Sequence, residues 1–95
     1  MPVTYFRIAW PDQTEATCYS PSTVVESHFE AGAEYPLDDF LARARAALGA
    51  ASERVRQRYG YSCSSAMDQL AQIEATAERY AAQPDATVKF LGFGR

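Results

Sequence analysis

Residues 36–60 read PLDDFLARARAALGAASERVRQRYG, from Pro36 to Gly60. Within this stretch Leu37, Phe40, Leu41, Ala44, Leu48, Ala51, Val55 and Tyr59 recur three and four residues apart, the spacing that lines one face of an α-helix. Pro36 suits a first helical position, where a backbone N–H has no partner to lose, and Asp38 and Asp39 then set negative charge at the positive end of the helix dipole. Gly60 stops the helix, because glycine adopts the left-handed conformation of a C-terminal cap without strain. The spacing therefore predicts a long helix from Pro36 to about Tyr59. At about 100° per residue, Arg43, Arg54 and Arg58 edge one side of the stripe, and Arg45 and Arg56 edge the other. Ala42, Ala46, Gly49, Ala50 and Glu53 fall on the far side. Small residues there let a second backbone come close, and we take this face as a candidate interaction surface. Alanine on a solvated face would merely favour helix, but Gly49 costs the helix about 1 kcal/mol. The arginines read as side chains whose stems lie along the stripe edges rather than as a nucleic-acid footprint.

Upstream, Thr4, Phe6, Ile8 and Trp10 alternate with Val3, Tyr5, Arg7 and Ala9, the period of a strand with one buried face. Turn chemistry in Pro11-Asp12-Gln13-Thr14 leads into Glu15–Ser20, so the two segments read as a hairpin. A two-residue turn at Asp12-Gln13 would set Ile8 opposite Thr17, Phe6 opposite Tyr19 and Arg7 opposite Cys18. Ser20-Pro21-Ser22 ends the second strand, and Ser22 suits the cap of a short helical turn reaching about Phe29, closed by Gly32. Downstream, a second long helix begins within residues 62–65, where Ser65 and Asp68 resemble a capping box. It carries Met67, Leu70, Ile73, Ala77, Tyr80 and Ala81 on one side and ends at Pro84-Asp85. Thr87–Phe93 reads as a third strand. The expected fold is α+β: a three-stranded antiparallel or mixed sheet with two long helices on one face, in the order strand, strand, short helix, long helix, long helix, strand.

The chain has 95 residues, 47% apolar and 22% charged, a balance for one domain spanning residues 1–95. Nine basic against twelve acidic residues give a net charge of -3, which works against broad binding to nucleic acid or an anionic membrane. No apolar run approaches a membrane span, and Met1-Pro2-Val3-Thr4 opens without a basic leader, so the reading expects a cytoplasmic protein.

Candidate chemistry is sparse. Cys18 and Cys63 are too few and too far apart for a zinc site or a disulfide framework, and free thiols are the expectation. With the two-residue turn, Cys18 sits beside Arg7 on the uncovered sheet face, where a guanidinium would favour the reactive thiolate; the alternative is a small apolar residue packed in a sheet. Cys63 projects with Met67 and Leu70 and reads as inert. Glu26, His28 and Glu30 have poor spacing for a metal, and no Gly-rich phosphate loop or Ser-His-Asp set is evident, so neither metal nor cofactor is expected.

Several strings together resemble a family of small bacterial nitrogen starvation response proteins: Trp10-Pro11-Asp12, Cys18-Tyr19-Ser20-Pro21-Ser22, Tyr35-Pro36-Leu37 with Asp39-Phe40, Ala51-Ser52-Glu53-Arg54-Val55-Arg56, and Tyr59-Gly60-Tyr61 followed by Cys63. The chain departs from the family pattern at Gln13, where members usually carry glycine. The resemblance implies genes beside a nitrilase, in clusters tied to nitrogen limitation and cyanide assimilation, with no established catalytic activity or cofactor. It also adds Tyr19 and Ser22 to the candidate interaction residues and raises the interest of both thiols. Two functions are then in play. One is a non-enzymatic accessory protein that contacts itself, as a homodimer through the open sheet face or the Ala46, Gly49, Ala50 helix face, or proteins of the same cluster. The other is a small thiol-dependent enzyme or carrier in nitrile or cyanide metabolism, with Cys18 as nucleophile and Arg7 as activator. A DNA-binding regulator is disfavoured by the acidic charge.

Overall fold

A computed structural model describes residues 3–60 and 64–94. Strand β1 (Thr4–Ala9) pairs with β2 (Glu15–Ser20); a short 3-10 turn (Thr23–Ser27) leads to β3 (Glu34–Pro36), and α1 (Leu37–Tyr59) follows directly. Helix α2 (Ser64–Ala77) tightens into a 3-10 turn (Glu78–Tyr80) before β4 (Thr87–Phe93). All neighbours in the sheet are antiparallel, in the order β2-β1-β4-β3.

The α+β class and the two long packed helices agree with the sequence reading, but the sheet has four strands rather than three. The added strand is only Glu34-Tyr35-Pro36, too short to show a period of two. It exists because β4 offers it a partner: Tyr35 lies opposite Val88, and the Leu37 amide donates to the Ala86 carbonyl at 3.0 Å.

The hairpin register is also corrected, by one residue. Phe6 lies opposite Cys18, Arg7 opposite Thr17 and Ile8 opposite Ala16. The turn holds three residues, not two. The Gln13 amide donates to the Trp10 carbonyl at 2.7 Å, the Trp10 amide donates to the Thr14 carbonyl at 2.9 Å, and Gln13 takes a left-handed φ of 72°. This is the three-residue hairpin in which a type I turn is followed by one left-handed residue. Proline at its first central position and the Asp12 carboxylate, which accepts the Thr14 N–H at 3.0 Å, both favour it. An odd loop shifts every following side chain of β2 to the other face.

Phe6, Ile8, Phe90 and Val88 from the sheet meet Val25, Phe29, Phe40 and Leu48 in one core. Its centre is aromatic: Phe29 stacks on Phe90 at 4.7 Å between ring centroids, and Trp10 stacks on Tyr80 at 5.9 Å. Helix α1 buries Leu37, Phe40, Ala44, Leu48, Ala51 and Val55 of the expected stripe, together with Ala47 and Ser52. Tyr59, the last residue of α1, which is about 34 Å long by its 23 residues, stands 49% exposed. Gly60 caps it at φ 82°, its amide donating to Arg56. Ile73, Ala77 and Tyr80 of the side expected for the second long helix are buried and Leu70 packs against the core, with Ala66 added to the buried line, while Met67 is 40% exposed and Ala81 faces outward. Ser65 lies within α2, whose described residues begin at Ser64.

Candidate functional site

The corrected register carries Cys18 to the inner face. It is 3% exposed, within the core cluster that holds Phe6 and Trp10, and burial pushes its thiol up to about 12. A neutral, desolvated thiol is a poor nucleophile. Arg7 stays on the outer face, where its guanidinium meets Glu15 at 2.6 Å. The expected pairing of Cys18 with Arg7 as activator is therefore overturned, and the reason is the parity of the turn. Beside Cys18 runs a shallow groove of about 100 Å³ between β2 and α2, lined by Thr17, Gln69, Gln72 and Thr76 among others. Cys63 lies outside the described residues.

Tyr19 and Ser22 are both put to structural use. On the outer face Tyr19 packs edge-to-face on Tyr5 at 5.7 Å, and its amide donates to Gln69 Oε1 of α2 at 2.9 Å. That bond closes the outward-facing edge of β2 at this point. Around Ser22 the chain turns a buried corner: Ser20 Oγ donates to the Ser22 carbonyl at 2.7 Å and accepts the Ser22 amide at 3.2 Å, while Ser22 Oγ accepts the Val24 amide at 3.3 Å. The cap expected at Ser22 is present. Serines at 20 and 22 can satisfy a buried backbone that bends away from its sheet, which is the physical content of the Ser20-Pro21-Ser22 string.

The single histidine is likewise occupied locally, with His28 Nδ1 3.2 Å from the Val24 carbonyl and 3.3 Å from Ser27 Oγ. Glu26 accepts a long bond from Thr4 Oγ1. Among the described residues no three His, Cys, Asp or Glu side chains gather as metal ligands. A cluster missed by sequence reasoning joins the loop after β2 to α1: Arg43 lies over the Tyr35 ring at 4.5 Å, meets Asp39 at 3.1 Å and donates to the His28 carbonyl at 3.0 Å. Only the Asp39/Arg43 spacing of four on α1 signalled any of it.

The small-residue face of α1 lies open. Ala42 and Ala46 are exposed, Gly49 and Ala50 half-buried, and a side chain built at Gly49 would meet nothing within 4 Å. A family model described as nitrogen starvation-induced protein NitG matches residues 5–93, from β1 to β4. The chain belongs to this family. In NitG terms the match takes in the hairpin, the serine corner, both helices and the closing strand, so the family pattern spans the whole fold. No curated protein and no solved structure matches the chain. No helix among the described residues is long and apolar enough to cross a membrane.

Proposed function

We propose that this NitG-family chain is a non-enzymatic accessory protein of the nitrogen-starvation response, working in the cytoplasm by contact with itself and with enzymes encoded alongside it, the nitrilase of a cyanide- or nitrile-assimilation cluster first among them. The observation that supports this reading is the use the fold makes of its reactive groups. Cys18 is buried on the inner face of the hairpin, Ser20 and Ser22 are spent on a backbone corner, and His28 bonds to the backbone of its own turn, while the outer face of α1 is left open. Groups held in this way are positioned to keep a shape.

The test is co-expression of the tagged chain with the nitrilase encoded beside it. The two should copurify in a fixed ratio, and the complex should survive alkylation of the native protein, since the reading makes no use of a thiol. A nitrilase that elutes alone, combined with rapid labelling of native Cys18 below the ordinary thiol pKa of about 9.0, would replace this reading with the thiol-dependent one.

A further inference from the structure

We propose that the exposed face of α1 pairs with the same face of a second copy, the two helices running antiparallel about a twofold axis between Ala46 and Gly49; this rests on the reading that the chain works through protein contacts. Asp39, Ala42, Ala46, Gly49, Glu53 and Arg56 are spaced alternately three and four residues apart, the seam of a two-helix coil, and the whole row lies on the side of α1 away from the core.

Charge sets the direction. The first turn of α1 carries Asp38 and Asp39, and the last turn carries Arg56 and Arg58. A twofold axis that exchanges Ala46 with Gly49 also exchanges Ala42 with Glu53 and Asp39 with Arg56, so each Asp39 meets Arg56 of the second copy. Parallel pairing would set acid on acid and base on base. Within one copy Asp39 already meets Arg43, and Arg56 meets Glu53 at 2.7 Å, so these contacts are exchanged on pairing and choose the orientation more than the strength. Asp38 takes part in no ion pair among the described residues, and it lies on the same flank of α1 as Arg56. Arg43 and Arg54 share the other flank and come near one another across the axis; Asp39 and Glu53 lie between them.

Gly49 is the second support. It sits in mid-helix with no left-handed φ to require glycine and open space where a side chain would go, so nothing within one copy explains a residue that weakens the helix. Close approach of a second backbone does explain it. Other exposed regions suit a second copy less well. The β3 edge ends in Pro36, which has no N–H to donate, and the β2 edge is closed at Tyr19 by Gln69. Across the outer sheet face Glu15, Ala9, Lys89 and Glu34 form one row, and covering it would desolvate three charges. The α1 face is about 34 Å by about 10 Å, well under the ~800 Å² per partner of a standard interface, so the pair is a weak one that exchanges with monomer.

Sedimentation and light scattering from about 1 to about 200 µM should show the mass rising from 10.5 kDa toward twice that value. Gly49→Leu should leave the fold intact, because the space is open, and abolish the rise. Asp39→Arg should weaken association about tenfold or more, and adding Arg56→Asp in the same chain should recover most of the loss. A wild type that stays at 10.5 kDa throughout, a Gly49→Leu chain that associates like wild type, or charge reversal that fails to recover association would each overturn the proposal. A monomeric chain that still copurifies with the nitrilase would reject self-pairing and leave the accessory role standing.

Discussion

Gln13 shows how much a single backbone angle carries. Its φ of 72° puts a long side chain where the Cβ crowds the following carbonyl, at a cost of roughly 1–2 kcal/mol for a residue other than glycine or asparagine. Yet this one left-handed residue makes the turn odd-numbered, so it turns Cys18 inward and leaves Arg7 outside with Glu15. Glycine at this position would carry no such strain. Gln13→Gly should therefore raise stability by about 0.5–1 kcal/mol after the added freedom of the unfolded chain is counted, seen as a Tm a few degrees higher with an unchanged far-ultraviolet spectrum. A β-branched residue at the same place should lower Tm.

Among the elements, the corner between β2 and the 3-10 turn depends most on named side chains. Ser20 is fully buried and serves both the amide and the carbonyl of Ser22, whereas Ser22 Oγ serves only the Val24 amide. Removing a hydroxyl that satisfies two buried backbone groups leaves both unpaired, at about 1–3 kcal/mol, while losing the cap costs about 1 kcal/mol. In urea unfolding Ser20→Ala should thus shift the midpoint further than Ser22→Ala, and equal shifts would show that the corner shares its bonds differently. The same scale explains how the sheet avoids adding strands: Gln69 from α2 holds one edge, and Pro36 ends the other at the point where α1 begins.

The whole molecule closes its core without help. Its accessible surface of 5464 Å² is close to the ~5,400 Å² that size scaling gives for a compact monomer of this mass. The proposed pairing would then be a meeting of folded chains rather than a condition of folding. The buried thiol ties this core to pH. In the folded protein Cys18 stays protonated up to about 12, while in the unfolded chain it ionises near 9.0, so the folded state holds its proton more tightly. The stability that this represents is complete below about pH 9 and is lost as pH rises toward 12, by about 1.4 kcal/mol per unit. Between pH 9 and 11 urea midpoints under reducing conditions should fall for the wild type and fall less for Cys18→Ala, compared with each protein's own value at pH 8. Parallel curves would place the thiol in contact with solvent.

What could be read along the chain was what depends on near neighbours. The stripe from Leu37 to Val55, the aspartates at the start of α1, the cap at Ser22 and the inward set Phe6, Ile8 and Trp10 follow from residues a few positions apart, and all appear in the fold. The candidate chemistry was less legible, because whether Cys18 lies beside Arg7 or beneath Phe6 hangs on the parity of one turn, and Asp12-Gln13 is compatible with either loop until the strands pair. The Arg43, Tyr35 and His28 cluster joins two separate segments and has almost no local signal. Strand β3 is the limiting case: three residues with no periodicity of their own are a strand only because β4 comes alongside, and hydrogen bonds between distant segments are a property of the folded chain rather than of the stretch that makes them.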